Sequence, residues 1–204
     1  MDYDEQSRRI RTSLYWLDVN AKHAIELHES FKYPAYNERV REYIRGTRNA
    51  RYYDICLKSI YFEFIMTLMR MYDSYERDTA CFSRLFKLLT RDFVSKFKNN
   101  TDINIESIIR KANDDYKILN GSHIMGKLKA VRHNMYAHTG TKFNRKQVAA
   151  YGDAEKLLDK TLPILNELNV AIYGKPEPYD RISSIWGEYS REFWDKYINR
   201  EAAS

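Results

Sequence analysis

The stretch LKAVRHNMYAHTG, residues 128–140, concentrates polar side chains in the last turns of a helical pattern, between Arg132 and His138. Arginine matches the geometry of a phosphate, and histidine is the side chain best suited to move protons near neutral pH. Together they suit cleavage of RNA, in which the 2′-hydroxyl attacks the adjacent phosphate and no metal is required. The alternative is structural, with His138 capping the helix C-terminus and Arg132 forming a surface pair.

The polar residues of this stretch lie on different faces of the helix. At about 100° per residue, the apolar stripe continues to His138, and Arg132 and Asn134 flank it on opposite sides. Asn134 precedes His138 at a same-face spacing that permits a hydrogen bond, whereas His133 points away from the stripe. Arg132 and His138 lie about 120° apart around the helix axis, so the two side chains of one helix do not easily contact the same phosphate. A two-fold homodimer that joins two such helices would bring both pairs into one cleft.

A second polar stripe runs along the long helix YYDICLKSIYFEFIMTLMRMYD, which is apolar nearly all round, as a central bundle helix should be. Ser59, Glu63, Thr67 and Arg70 share a narrow face, with Asp73 at its edge. Because an unpaired buried charge is costly, this stripe must face something polar or wet. It either forms an internal ion pair, Glu63–Arg70 or Arg70–Asp73, or it lines a polar cleft.

Helical periodicity dominates the rest of the 204-residue chain, whose seven Gly and four Pro favour long helices. No stretch alternates as a strand does, so the predicted class is an all-α bundle of long helices. The motif helix is predicted to end at Thr139-Gly140. The other predicted helices cover about 5–30, Pro34 to Gly46, 47–72, 81–97 with a break, 102–119, 146–172 with a kink or break at Pro163, and 182–199.

Length, composition and charge predict the domain organisation of the chain and limit the kinds of partner and cofactor that it can bind. We expect one domain, residues 1–204, with an N-terminal helical elaboration over 1–46 and a C-terminal helix over 179–204. The net charge of +6 permits a polyanionic partner. Cys56 and Cys81 lie in apolar patterns without metal-ligand spacing, so we expect core cysteines, no metal and no cofactor. Apolar runs are short and the N-terminus lacks a signal-peptide core, which predicts a cytoplasmic protein with no membrane partner.

The stretch RHNMYAH resembles the R-x4–6-H motif of the HEPN superfamily, with Arg132 and His138 as its ends. The segment FIMTLMRMYDSYERDTACFSRLFKLL, residues 64–89, resembles the corresponding pattern of the AbiU2-like branch. The resemblance covers about residues 50–172. It implies a HEPN-like helical bundle of long antiparallel helices that forms a two-fold homodimer. Many such proteins are metal-independent endoribonucleases of toxin–antitoxin, abortive-infection and antiviral systems.

The resemblance also implies roles for particular residues. It implies that Arg132 binds the phosphate and that His138 transfers the proton. The family pattern prefers His133 as the supporting polar residue and the helix geometry prefers Asn134, so this choice stays open. Arg70 and Asp73 of RMYD would lie near the cleft and, with His133 and Tyr136, complete the predicted substrate-binding set.

The resemblance leaves the partners and one form of regulation partly open. A related branch carries a modified tyrosine two residues after the histidine, but Gly140 stands there, which puts that regulation in doubt. The expected partners are RNA, a second copy of the chain and a cognate antitoxin, with no DNA. The alternative is a non-catalytic HEPN-like module that binds RNA or protein.

Overall fold

The computed structural model describes residues 2–73, 81–97, 104–137 and 151–201, and every regular element in these ranges is an α-helix. The all-α class predicted from periodicity is therefore confirmed for the described residues. The helices are α1 (Tyr3–Tyr36), α2 (Glu38–Gly46), α3 (Ala50–Met71), α4 (Phe82–Leu88), α5 (Arg91–Lys96), α6 (Ile105–Asn120), α7 (His123–Ala137), α8 (Tyr151–Tyr173) and α9 (Tyr179–Glu201).

The prediction that Pro34 begins a helix is wrong, because α1 continues through Pro34 to Tyr36. Asn37 occupies the N-cap of α2 instead, and its Oδ1 accepts a hydrogen bond from the Val40 N–H at 3.1 Å. An asparagine side chain satisfies a free N–H of the first helical turn, which a proline cannot do. The local capping chemistry therefore moves the helix boundary past the proline.

The break considered at Pro163 does not occur, since α8 is one helix with Pro163 inside it. Proline in a helix interior removes a backbone hydrogen bond and costs about 3 kcal/mol. The residues that follow it, Ile164, Leu165 and Leu168, are almost completely buried. The apolar contacts on both sides of the proline offset its local cost. The break predicted within residues 81–97 is confirmed, because α4 and α5 are separate helices and Thr90 caps α5.

The chain forms two compact units. The first comprises residues 1–21 and 66–177, and the second comprises residues 22–65 and 178–204. The helices α1 and α3 contribute residues to both. The predicted domain boundaries, with 1–46 and 179–204 as additions to one domain, stay a prediction.

The centre of the first unit is Tyr72, which follows α3 and is 2% exposed. Its ring centroid lies 5.2 Å from that of Phe82 and 5.9 Å from that of Tyr116. Its hydroxyl lies 2.8 Å from Thr161 Oγ1, and Thr161 in turn donates to the Leu157 carbonyl at 2.6 Å. Because the threonine hydrogen is already used, the tyrosine hydroxyl donates to Thr161. One side chain thus joins the end of α3 to α4, α6 and α8.

One apolar cluster of the second unit lies between α2 and α9. Val40 and Ile44 of α2 pack against Trp194 and Ile198 of α9, and all four side chains are buried. At the rim of this contact, Arg39 Nη2 donates to Asn199 Oδ1 at 2.7 Å. The short helix α2 is thereby held by one face and presents its other faces outward.

The helix α3 is buried unevenly, which corrects the expectation that it is apolar and enclosed all round. Residues 64–69 are buried, whereas Tyr52 and Ile55 in the first half are 66% and 54% exposed. Cys81 is a buried core cysteine, as predicted, but Cys56 on the exposed half of α3 is only half-buried. Among the helices of the described ranges, none has the length and apolar character needed to cross a membrane.

We expect Tyr72→Phe to lower the free energy of unfolding by about 1 kcal/mol at neutral pH, because a buried hydrogen bond is lost. Burial raises the pKa of Tyr72 above its ordinary value of 10.0. In the unfolded chain the hydroxyl ionises near pH 10.0, so the stability that depends on the neutral tyrosine is lost as pH rises above that value. Urea unfolding should therefore show the difference between wild type and Tyr72→Phe narrowing above pH 10.0.

Tyr189→Phe, at a 59% exposed tyrosine, is the matched control and should leave the free energy of unfolding unchanged. A difference between wild type and Tyr72→Phe that is independent of pH would contradict this account of the hydroxyl.

Candidate active site

The first component of the site is Arg132, which α7 places beside a buried apolar face. Met125, Leu128 and Val131 of α7 are buried, and Lys127 Nζ lies 3.2 Å from Asp153 Oδ2 of α8. These contacts fix the rotation of the helix about its own axis. Arg132 follows Val131 and therefore stands at the edge of the packed face, with 33% of its side chain exposed.

The second component is Asp73, which directly follows the buried Tyr72. The Asp73 N–H donates to the Arg70 carbonyl at 3.4 Å, and its own carbonyl accepts from Ser83 Oγ at 3.1 Å. The backbone of Asp73 is thus tied to the end of α3 and to the start of α4. Its side chain is 28% exposed.

These two components meet, because Arg132 Nη1 donates to Asp73 Oδ1 in an ion pair that joins α7 to the end of α3. Both side chains are partly buried, so solvent screens the pair less than a fully exposed one. The sequence predicted that both residues lie near the cleft, but it did not predict this pairing. A partner so far away along the chain leaves no periodic signal in the sequence.

The other members of the predicted polar stripe on α3 have diverse environments. Thr67 is fully buried, Glu63 is half-buried and Arg70 is exposed. Ser59 is exposed, and its Oγ donates to the carbonyl of Ile55 at 2.9 Å. The stripe is therefore not a uniformly wet wall. Arg70 precedes Asp73 by about one helical turn, and whether it binds substrate stays a prediction.

The remaining candidates belong to the motif itself. His133 is exposed on α7. Asn134 and Tyr136 fall within the last turn of α7, but their side chains lie outside the described part of the chain, as does the whole of His138. The choice between His133 and Asn134, the role of Tyr136 and the predicted helix end at Thr139-Gly140 therefore stay predictions.

The guanidinium of Arg132 retains capacity for a ligand. Arginine carries five N–H donors, and Asp73 engages Nη1. Within the described ranges Arg132 has no other hydrogen-bond or ion-pair partner. An arginine oriented by a carboxylate on one side and partly exposed on the other suits a phosphate oxygen. In the same ranges, no group of three or more His, Cys, Asp and Glu side chains is placed to hold a metal ion.

A double-mutant cycle with Asp73→Asn and Arg132→Gln should measure a coupling of up to about 1 kcal/mol in urea unfolding, because a partly exposed ion pair contributes modestly. The coupling should fall as salt is added, since screening weakens the attraction. The pair Glu192–Lys196 on α9 is an exposed control, and its coupling should be smaller. Additive single and double variants would contradict the ion pair.

A comparison with protein families matches the family description AbiU2, of the HEPN group, to residues 3–193. The match begins in α1 and ends in α9, and it contains both Asp73 and Arg132. It is wider than the span of residues 50–172 in which the sequence resemblance was recognised. Neither the curated proteins nor the solved structures yielded a significant match. The family match covers most of the length of this chain, and the chain therefore belongs to the AbiU2 family of HEPN proteins.

Proposed function

We propose that this AbiU2-family protein is a metal-independent endoribonuclease. The observation that carries the proposal is the position of Arg132 on α7, where Asp73 orients the guanidinium and no other described residue engages its remaining donors. Family membership supports the same reading, because HEPN proteins with the R-x4–6-H motif are often ribonucleases. Arg132 and His138 are the residues we assign to catalysis, with Asn134 or His133 in support.

The proposed reaction needs only the RNA and side chains of the chain. His138 removes the proton from the 2′-hydroxyl, whose oxygen bonds to the adjacent phosphorus as the bond from phosphorus to the 5′-oxygen breaks. His138, now protonated, donates that proton to the departing 5′-oxygen, which leaves a 2′,3′-cyclic phosphate and a 5′-hydroxyl. Arg132 binds the non-bridging phosphate oxygens, where negative charge accumulates. Asp73 keeps the guanidinium in position.

The assembly and cellular role follow from this proposal. A two-fold homodimer would bring Arg132 and His138 of both chains into one cleft, where Arg132 of one chain can act with His138 of the other. We place the protein in the cytoplasm, as a toxin or abortive-infection component restrained by a cognate antitoxin. Single-stranded RNA is the proposed substrate, because its unstacked bases are accessible to a protein.

One observation favours a second candidate, a HEPN-like module that binds RNA or protein without cleaving it. The Asp73 carboxylate offsets the positive charge of Arg132, and this weakens the attraction for a phosphate. Binding without turnover by folded, dimeric protein would select this candidate.

We expect the wild type to cleave unstructured RNA in the presence of EDTA and to leave 2′,3′-cyclic phosphate ends. Arg132→Ala and His138→Ala should each reduce the rate at least about a hundredfold, because transition-state stabilisation or proton transfer is lost. His23→Ala, at an exposed histidine outside the motif, should cleave at the wild-type rate. Circular dichroism would establish that all variants fold. Cleavage by both motif variants at the wild-type rate would contradict the mechanism.

Mixing the inactive Arg132→Ala and His138→Ala proteins tests the shared cleft. Mixed dimers contain one intact Arg132 and one intact His138, so partial activity should appear after the subunits exchange. Each variant incubated alone under the same conditions is the control. If native mass spectrometry shows mixed dimers but the mixture stays inactive, the two chains do not complement one another in a common site.

A further inference from the structure

The second unit carries a cluster of exposed arginines on α2, on the turn that follows it and on the first turn of α3. This arginine surface consists of Arg39, Arg41, Arg45, Arg48 and Arg51. The acidic residues within the same stretch are Glu38 and Glu42, so positive charge predominates. The first turn of α3 contains no acidic residue.

The arginine surface is largely uncompensated. Among the described residues, Arg41, Arg45, Arg48 and Arg51 form no ion pair, hydrogen bond or ring contact through their side chains. Asp54 lies beside them in a groove, but Lys58 Nζ binds its carboxylate at 2.5 Å. The nearby acid therefore does little to offset the arginine charge.

The buried face of α2 does not account for these arginines. Val40 and Ile44 take the buried face of α2, and Arg41 and Arg45 lie about one turn apart on the adjacent face. Arg45 lies in the last turn of α2, where a cation interacts favourably with the helix dipole, but it also repels Arg41 at this spacing. Arg41 and Arg45 flank a groove of about 250 Å³ with Pro34 and Leu57. Exposed arginines that form no ion pair among the described residues suit a polyanionic ligand.

Aromatic side chains accompany the arginines. Arg48 lines a second groove, of about 580 Å³, together with Glu42 and with Tyr43 and Tyr197, whose rings contact each other edge-on. Tyr52, next to Arg51, is 66% exposed. Tyrosine rings stack on unpaired bases, and arginines contact the phosphates between them. This mixture fits a single nucleic-acid strand better than an acidic protein surface, which offers no bases to stack.

We propose that the arginine surface binds the phosphate backbone of single-stranded RNA, as a second contact in addition to the Arg132 motif. The identity of the polymer as RNA rests on the proposed function. The surface contributes affinity without reading the base sequence, because phosphates carry no sequence information. Its residues belong to the second unit, whereas Arg132 belongs to the first.

Binding is measured by fluorescence anisotropy on the full chain with a labelled 2′-O-methyl oligouridylate, which lacks the attacking hydroxyl and cannot be cut. The test variants are Arg41→Gln with Arg45→Gln, and Arg48→Gln with Arg51→Gln. The control, Arg91→Gln with Arg110→Gln, removes the same charge at exposed positions of the first unit. Each test variant should bind roughly tenfold more weakly at about 0.1 M salt, and the slope of log K against log salt should fall by about 1.4.

The outcomes separate this inference from the proposed nuclease. The inference stands if the test variants weaken binding and the control does not, even when unmodified RNA is never cleaved. It fails if the control loses as much affinity as the test variants, if the test variants bind like the wild type, or if no variant binds. It also fails if polyglutamate competes as well as RNA, which would assign the surface to an acidic protein.

Discussion

The candidate site depends on the burial of Tyr72. Placing a phenol in a protein interior is favourable only when its hydroxyl finds a partner, and Thr161 provides the acceptor. Burial also raises the pKa of Tyr72, because the ionised form would lose its hydration in the protein interior. With that ring held among Phe82, Tyr116 and α8, the chain leaves α3 in one direction. Asp73 is the next residue, and its position is set by this packing.

The ion pair between Asp73 and Arg132 has two opposite effects on a phosphate. It reduces the rotamer freedom of the arginine, which lowers the entropy cost of binding a ligand in a fixed geometry. It also offsets the charge that attracts the ligand. The arginine surface of the second unit has the converse character, because its arginines form no ion pair with any residue that the structure describes. Under the proposed function, Arg132 would bind one phosphate in a fixed orientation, and the arginine surface would attract the rest of the RNA strand.

Family membership supports the assignment of the chain to the HEPN proteins, whereas the proposal of ribonuclease activity depends on the chemistry of the site. The AbiU2 match covers residues of both compact units and establishes the HEPN relationship. A fold hosts several functions, however, and catalysis depends on specific groups at specific distances. The groups that we propose for this chain are the guanidinium of Arg132, which Asp73 orients, and the imidazole of His138. The proposal of ribonuclease activity therefore rests on the chemistry of the motif more than on the helical architecture.

Local patterns in the sequence determined the all-α class, most helix positions, the polar ends of α3 and α7 and the HEPN resemblance, because periodicity and motifs are read over a few turns. Tertiary packing decided what those patterns leave open. Buried neighbours keep α8 continuous through Pro163, and a hydroxyl-bearing Thr67 is buried in a stripe that the sequence treated as polar surface. Above all, the side chain of Asp73 pairs with Arg132, because the packing of α7 brings two segments distant along the chain into contact.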